Sequence, residues 1–288
     1  MKPSIRLLAL DIDGTLLDQH FQVSARNIEA LKAAHEAGIH VMLATGRRHD
    51  YALPIARQLG IPVSLISSNG ALVRFSNGER FHADRLPAAT AEKLIRHMDA
   101  YRGNAVLTFD REGPDALVLE RADELSRSIA RWIEKNSGHI RYVAPLETAL
   151  TEDPIQAMYC GGIERMMAAQ QLLAEAEFFG EVTVLRTQYD QRDLCIIDIL
   201  NRGCTKGHAL RRWADHHGIA PEEVMAIGDN YNDLEMLEFA GLPVIMGNAS
   251  DDLKTRGWTV TSSNLESGVA VAVERIIQAG IAPPIEVK

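Results

Sequence analysis

The amino-acid sequence predicts an α/β fold, in which a doubly wound parallel sheet forms the core and a strand-rich α+β domain is inserted into it. Strand and helix patterns alternate at both ends of the chain, whereas the middle contains several strand patterns and few helices. Alternation of this kind implies parallel strands joined by right-handed crossovers. We assign residues 1–83 and 201–288 to the core and residues 84–200 to the inserted domain.

The first part of the core is predicted to contain three strands and two helices. The strands are expected at residues 5–10, 39–46 and 63–70. The first of them is continuously apolar, which is typical of a parallel strand buried on both faces. Ser24 is a good helix N-cap and Gly38 a good helix stop, so a helix is expected between them. A second helix is expected within about 50–59, starting close to Pro54 because proline disrupts a helix interior.

The second part of the core repeats the alternation, and the middle does not. Core helices are expected at residues 206–218, 231–241 and 267–280, and core strands at residues 222–229, 242–247 and 259–263. In the middle, strands are expected at residues 104–110, 115–120, 155–162, 181–188 and 193–200. Only two helices are expected there, around residues 123–136 and 164–179. This mixture predicts a separate α+β domain between the two halves of the core.

Length and composition are those of an ordinary globular protein with room for two domains. The chain has 288 residues, of which 46% are hydrophobic and 24% charged, and its formal net charge is −9. This acidic balance argues against a broad nucleic-acid surface, since phosphate backbones select for lysine and arginine. No apolar run approaches the roughly 20 residues of a membrane-spanning helix, and the first residues lack a secretory signal pattern.

The three cysteines, Cys160, Cys195 and Cys204, show no CxxC spacing and are interpreted as free thiols of a reducing cytoplasm. We therefore expect a cytoplasmic protein without nucleic-acid or membrane partners. The sequence leaves open whether it is a monomer or a homodimer.

Polar side chains follow the predicted core strands at their carboxyl ends. They are Asp11 and Asp13 after the first strand, Thr45 after the second, Asn69 after the third and Asp229 after a later one. Lys206 begins the helix that precedes this later strand. Ligands of open parallel sheets bind beyond the carboxyl ends of the strands, so these side chains are expected to share one crater.

Asp11 and Asp13 stand one residue apart in the stretch DIDGT, where two carboxylates repel each other unless a cation or a chemical task holds them. A calcium-binding loop would need glycine at its sixth position and glutamate at its twelfth, but these positions are Leu16 and Gln22. A solvated turn is the simpler alternative for DIDG alone. The later stretch GDNYND, which contains Asp229, makes a shared site the better interpretation.

Lys206 is unusual at a predicted helix start, because a cation is disfavoured there unless an anion lies beside it. A bound phosphate would be such an anion, and the helix N-terminus would also favour it. A solvated lysine is the simpler alternative. The sequence contains neither a Walker loop nor a dinucleotide fingerprint, so a nucleotide-cradling loop is not predicted.

Five segments resemble, in order, the motifs of the haloacid dehalogenase superfamily. They are DIDGTLL, ATGR at 44–47, SNGA at 68–71, TKGHAL with Lys206, and GDNYNDLEML. The segments MGNA at 246–249 and TSSNLESGVA at 261–270 are similar to those of the Cof-type subfamily of sugar and small-molecule phosphatases. The resemblance implies a Rossmann-like core and an inserted class IIB cap domain that determines substrate specificity.

The resemblance also implies a role for each matching residue. Asp11 would be the nucleophile that forms an aspartyl-phosphate, and Asp13 would protonate the leaving alcohol and then deprotonate water. Mg²⁺ would be held by the Asp11 carboxylate, the Asp13 backbone carbonyl and the Asp229 carboxylate. Thr45, Lys206 and Asn232 would bind the phosphoryl oxygens, and Asp233 would orient Lys206 or the waters of the metal ion. Gly46, Arg47 and Asn69 would line the same mouth as substrate- or phosphate-binding residues.

The expected function is therefore Mg²⁺-dependent hydrolysis of small phosphorylated metabolites, with sugar phosphates as the expected class. A phosphomutase is an alternative, because the same aspartyl-phosphate can be returned to a sugar instead of to water. A catalytically silent protein that binds a phosphorylated metabolite is a second alternative, although binding alone would need neither the nucleophile nor the acid.

Overall fold

The computed structural model describes residues 4–280 except 112, 126–128, 130, 132, 135 and 136. The chain divides into two compact units, Met1–His82 with Thr205–Lys288 and Ala83–Cys204. Among the described residues, every helix is too short or too polar to cross a membrane.

The described residues form fourteen strands and eight α-helices. The strands are β1 (Leu7–Leu10), β2 (His40–Ala44), β3 (Val63–Ser67), β4 (Leu72–Arg74), β5 (Arg80–Ala83), β6 (Ala105–Thr108), β7 (Leu117–Leu119), β8 (Ile140–Tyr142), β9 (Gln156–Gly161), β10 (Val182–Tyr189), β11 (Leu194–Asn201), β12 (Val224–Gly228), β13 (Leu242–Ile245) and β14 (Thr259–Val260). The helices are α1 (Ala25–Glu36), α2 (His49–Gln58), α3 (Ala88–His97), α4 (Ile163–Ala174), α5 (Lys206–His216), α6 (Leu234–Phe239), α7 (Asp251–Lys254) and α8 (Gly268–Gln278).

The first unit is built around an eight-stranded sheet with the strand order β14-β13-β12-β1-β2-β3-β4-β5. All neighbouring pairs from β14 to β3 are parallel, which confirms the predicted doubly wound parallel core. β4 runs antiparallel to β3, because the 3₁₀ turn Ser68–Gly70 between them is too short for a parallel crossover. The strands β4 and β5 at this edge of the sheet were not predicted.

Alternate residues of the central strand pack against helices on opposite faces of this sheet. Leu8 and Leu10 of β1 belong to a hydrophobic core with α1, α2 and α8, whereas Leu7 and Ala9 belong to one with α5, α6 and α7. Side chains of a strand alternate between faces, so a strand covered on both sides is apolar throughout. Each fully buried leucine stabilises the fold by about 2 kcal/mol, and all four residues of β1 are buried.

The first two helices begin and end largely where local sequence signals predict. Ser24 caps α1, and its hydroxyl accepts a hydrogen bond from the backbone N–H of Asn27. Gly38 follows α1 with a φ of 85°. α2 begins at His49, so that Pro54 lies inside the helix and not close to its start. Buried neighbours on α2, such as Ile55, offset the hydrogen bond that proline cannot donate.

The second unit contains a six-stranded sheet in the order β10-β11-β9-β6-β7-β8, and its pairs are antiparallel except β7 with β8. Leu94 of α3 and Leu173 of α4 belong to one hydrophobic core on this sheet, which confirms the predicted α+β character. The prediction of only two helices in the middle segment is wrong, because α3 is a further one. Its buried face includes the short side chains of Thr90 and Ala91, which weaken the apolar periodicity.

Of the two helices that were predicted for the middle segment, one is present in the structure and the other falls partly outside the described residues. The helix predicted around 164–179 corresponds to α4, which ends earlier, at Ala174. The helix predicted around 123–136 includes positions 126–128, 130, 132, 135 and 136, which lie outside the described residues. That helix stays a prediction.

Candidate active site

The carboxyl ends of four adjacent strands meet at one edge of the sheet in the first unit. Asp11 follows β1, Thr45 follows β2 and Asn69 lies in the turn after β3, while Asp229 follows β12 on the other side of β1. Because these strands are parallel neighbours, their carboxyl ends lie side by side. We call the cluster formed by these four residues, Lys206 and Asp233 the strand-end site.

Lys206 is the buried cation of the strand-end site. It is the first residue of α5, after the N-cap Thr205, and its side chain is 0% exposed. Its Nζ donates hydrogen bonds to Asp11 Oδ1 and to Asp233 Oδ1, both at 2.7 Å. The anions that a lysine at a helix N-terminus requires are therefore carboxylates of the protein itself.

Burial dominates the ionisation of this cluster. Burial, together with the charges of the Asp233 and Asp13 carboxylates, raises the pKa of Asp11 to about 7 against the attraction of Lys206. Burial alone would lower the pKa of Lys206, but the charges of Asp11 and Asp233 and the hydrogen bonds that they accept raise this pKa above its usual value. One lysine therefore does not neutralise all the carboxylates gathered here.

Asp229 is a further carboxylate of the site, and the loop after β1 packs directly against it. Thr15 Oγ1 donates a hydrogen bond to Asp229 Oδ1 at 3.0 Å. Gly14 has a φ of 85°, and a Cβ at this position would lie 2.8 Å from Asp229 Cγ, so only glycine allows this approach. Burial raises the pKa of Asp229 well above its usual value, and the charges of Asp11 and Asp233 add to this effect.

Asp233 is completely buried and uses both carboxylate oxygens within the protein. Its Oδ1 accepts the hydrogen bond from Lys206, and its Oδ2 accepts hydrogen bonds from the backbone N–H groups of Asp229 at 3.0 Å and Asn230 at 3.1 Å. These contacts hold the loop after β12 against the lysine. Asp233 therefore acts as an anchor between the two.

The carboxylates of the strand-end site fit a divalent metal ion. One oxygen from each of Asp11, Asp229 and Asp233 lies within 4.8 Å of the others, and such oxygen ligands are those that Mg²⁺ prefers. A cation among them would offset the repulsion that raises the pKa values of Asp11 and Asp229. Because Asp233 already accepts three hydrogen bonds, Asp11 and Asp229 are the better candidate ligands.

The carboxylate of Asp13 pairs with Arg47 in a two-point contact. Arg47 Nε donates a hydrogen bond to Asp13 Oδ2 at 2.7 Å, and Arg47 Nη2 donates one to Asp13 Oδ1 at 2.6 Å. Both side chains are 28% exposed. The family resemblance placed Arg47 among the substrate- or phosphate-binding residues, and in the structure its guanidinium lies on Asp13.

Thr45, Gly46 and Asn69 form a connected group at the ends of β2 and β3, and Asn232 contacts this group from the turn after β12. Thr45 is 1% exposed, and its Oγ1 accepts a hydrogen bond from the Arg47 backbone N–H at 3.1 Å. The Asn69 backbone N–H donates to the Thr45 carbonyl at 2.9 Å, and Asn232 Nδ2 donates to Asn69 Oδ1 at 3.0 Å. A Cβ at Gly46 would lie 3.2 Å from the Asn69 amide, so glycine keeps this packing close.

Besides Gly14, two further residues that shape the site were not singled out from the sequence. One is Thr15, which fixes Asp229. The other is Gly70, which has a φ of 109° and packs so closely on α5 that a Cβ would lie 2.6 Å from the carbonyl carbon of Thr205. Thr15 lies in the motif DIDGT and Gly70 lies in the motif SNGA, and these motifs were the available sequence signal. Only the fold shows which residues Thr15 and Gly70 contact.

Comparison with known proteins places this geometry in a family. The family profile described as haloacid dehalogenase-like hydrolase matches residues 8–273. The phosphatase YwpJ of Bacillus subtilis (strain 168) is 30% identical over 95% of this chain and 100% of its own. The pyridoxal phosphate phosphatase YbhA of Escherichia coli (strain K12) is 30% identical over 92% of this chain and 96% of its own.

A solved structure is similar to this chain in both fold and sequence. The crystal structure of a haloacid dehalogenase-like hydrolase from Bacteroides thetaiotaomicron superposes with a TM-score of 0.79 at 28% identity. The match covers 94% of this chain and 99% of the other.

Proposed function

Since the chain belongs to the haloacid dehalogenase-like hydrolase family and is a phosphatase of that type, we propose that it hydrolyses small phosphorylated metabolites through an aspartyl-phosphate on Asp11. The observation that carries this proposal is the buried contact of Lys206 with Asp11, beside the carboxylate of Asp229. Binding of a phosphate alone would require neither a carboxylate nucleophile nor a metal-binding carboxylate next to it.

In the first step, an oxygen of Asp11 attacks phosphorus, and the bond between phosphorus and the ester oxygen breaks. Asp13 donates a proton to that ester oxygen, so that the leaving group departs as an alcohol. The charge of Asp13 acts on the Asp11 carboxyl and contributes to the rise of its pKa, which supports nucleophile and acid acting on one phosphate.

In the second step, Asp13 accepts a proton from a water molecule whose oxygen attacks phosphorus. The bond between phosphorus and Asp11 breaks, inorganic phosphate is released, and Asp11 returns to its carboxylate form. The same group thus serves as acid in one step and as base in the next.

Lys206, Thr45 and Asn232 bind the phosphoryl oxygens. Lys206 supplies positive charge beside Asp11, and the hydroxyl of Thr45 is a hydrogen-bond donor at the neighbouring strand end. Asn232 adds an amide to this group, and Asp233 keeps Lys206 in place. When bound by the carboxylates of Asp11 and Asp229 and the Asp13 backbone carbonyl, Mg²⁺ would neutralise phosphate charge and so allow an anionic nucleophile to approach.

We further propose that the second unit is a cap domain that selects the substrate, and that the protein acts in the cytoplasm. Sugar phosphates are the first substrate class to examine, as the Cof-type motifs imply. The name of the relative YbhA adds pyridoxal phosphate as a second compound for the same panel.

The proposal is tested by hydrolysis of 4-nitrophenyl phosphate in the presence of Mg²⁺, followed by a panel of phosphorylated metabolites with phosphate release as the readout. Asp11→Asn is expected to remove turnover, because an amide is a poor nucleophile. Asp251→Asn makes the same chemical change at a carboxylate that is 98% exposed, and it is expected to leave turnover unchanged. Wild-type protein that releases no phosphate from any of these compounds would overturn the proposal, as would full activity of Asp11→Asn.

A further inference from the structure

The contact between Arg47 and Asp13 has the geometry of a clamp for one carboxylate. Two nitrogens of the guanidinium meet two oxygens of the carboxylate, at 2.7 and 2.6 Å. A single hydrogen bond leaves an aspartate free to rotate about its last side-chain bond, whereas two parallel bonds define the plane of the carboxylate. Arg47 therefore determines where the oxygens of Asp13 point.

The backbone of Arg47 is itself held from two directions. Its N–H donates a hydrogen bond to Thr45 Oγ1 at 3.1 Å, and its carbonyl accepts one from the Ser68 N–H at 2.8 Å. These two partners lie directly beyond the ends of β2 and β3. The backbone from which the guanidinium extends is thus fixed to the ends of two strands, as a positioning group requires.

Charge provides an independent reason for the contact. Asp13 stands two residues from Asp11, and two carboxylates so close repel each other. Lys206 is bound to Asp11 and Asp233, and no hydrogen bond from it to Asp13 is present in the described structure. The positive charge of Arg47 balances Asp13 and so keeps a second carboxylate near the first.

We propose that Arg47 is a positioning residue for Asp13 and that it is not a phosphate-binding residue. Arg47 holds the ionised carboxylate by both oxygens; when Asp13 carries the proton of the first step, Arg47 keeps its hydrogen bond to the unprotonated oxygen, so that the protonated oxygen is directed to the leaving group. This inference rests on the proposed function, because it assigns the orientation of the acid that the first step requires. It replaces the substrate- or phosphate-binding role that the family resemblance implied for Arg47.

Two esters of different leaving-group basicity distinguish these roles. Phenyl phosphate and 4-nitrophenyl phosphate have similar shapes, but the nitro group makes the second leaving group far less dependent on a proton donor. Arg47→Lys retains the charge and loses the two-point contact. We expect its kcat for phenyl phosphate to fall by about 100-fold, as when general acid catalysis is lost, and its kcat for 4-nitrophenyl phosphate to fall several-fold less.

Inhibition by inorganic phosphate tests directly whether Arg47 binds phosphate, which is the competing role. If Arg47 positions Asp13, the inhibition constant of phosphate for Arg47→Lys stays close to that of wild type. An equal loss of kcat on both esters, together with a large rise in the inhibition constant, would overturn the inference in favour of phosphate binding. Wild-type activity on both esters in the same assay keeps the proposed function separate from this outcome.

Arg48→Lys is the matched control. Arg48 makes the same kind of two-point contact one residue along the chain, with Asp50 at 3.0 and 3.1 Å. Its replacement is expected to leave the ratio of the two kcat values unchanged. If Arg47→Lys does not fold, as judged by its thermal unfolding midpoint, Arg47→Gln is measured in its place with the same expectation.

A double-mutant cycle completes the test. In Asp13→Asn protein, which has already lost its acid, adding Arg47→Lys is expected to cause no further loss on phenyl phosphate. Losses that multiply independently would show that Arg47 does not act through Asp13, and they would overturn the inference.

Discussion

Lys206 Nζ lies 2.7 Å from Asp11 Oδ1, although 195 residues of sequence separate them. The contact joins the start of α5 to the end of β1, and the lysine side chain is completely buried. Breaking a buried ion pair leaves one charge without compensation, which costs more than the pair contributes when intact. Stability and activity are therefore coupled at this position.

Lys206→Met is expected to remove measurable turnover and to lower the free energy of unfolding by about 3 kcal/mol, because Asp11 and Asp233 lose their shared cation. Urea unfolding and kcat for 4-nitrophenyl phosphate measure the two effects. Lys254→Met is the control: Lys254 pairs with the exposed Asp251, and its loss is expected to change stability by at most about 0.5 kcal/mol. A Lys206→Met protein of wild-type stability and activity would contradict this account.

Thr15→Val is expected to weaken Mg²⁺ binding by about 10- to 100-fold, because Asp229 loses the hydrogen bond that orients it as a ligand. Calorimetric titration with Mn²⁺ measures binding directly, and the Mg²⁺ dependence of turnover gives a second reading. Thr15→Ser keeps the hydroxyl and is expected to behave like wild type. Equal metal affinity in Thr15→Val and Thr15→Ser would show that the hydroxyl has no such role.

Gly70→Ala is expected to destabilise the first unit by about 3 kcal/mol, because a Cβ would combine a strained left-handed backbone with a clash against Thr205. Gly78→Ala separates these two costs. Gly78 has a similar φ of 87° but nothing within 4 Å of the added Cβ, so about 1 kcal/mol is expected. Thermal unfolding of both variants makes the comparison, and equal losses would rule out the clash as the cause.

His40 is expected to make stability depend on pH in the acid range. Burial, together with the charges of His217 and His35, lowers the pKa of His40 to about 4. Between pH 6.5 and 4 the unfolded chain therefore binds more protons than the native one, so stability falls as pH decreases through this window. The fall attributable to His40 is about 2–3 kcal/mol at pH 4.

His40→Phe should remove that part of the pH dependence while keeping the ring that stacks on Trp213 at 4.5 Å. Urea unfolding at pH 7 and pH 4.5 provides the measurement. His20→Gln is the control, since His20 is exposed and its replacement should leave the slope unchanged. A wild-type slope in His40→Phe would assign the acid sensitivity to other groups.

Local patterns predicted those elements whose signals lie within a few neighbouring residues. The continuous apolar run of β1 and the cap of α1 at Ser24 are of this kind. α3 was missed because its buried face includes Thr90 and Ala91, whose small side chains produce little periodicity. β4 and β5 were missed because three- and four-residue strands at a sheet edge carry almost no pattern of their own.

The sequence by itself determined which chemical groups stand at the ends of the core strands, since chain order and apolar runs are local properties. Only the tertiary structure decided how these groups pair. Lys206 donates hydrogen bonds to both Asp11 and Asp233, Arg47 donates to Asp13, and Thr15 donates to Asp229. The physical reason is that such pairs form across neighbouring strand ends, where distance in space depends on sheet order and not on distance along the chain.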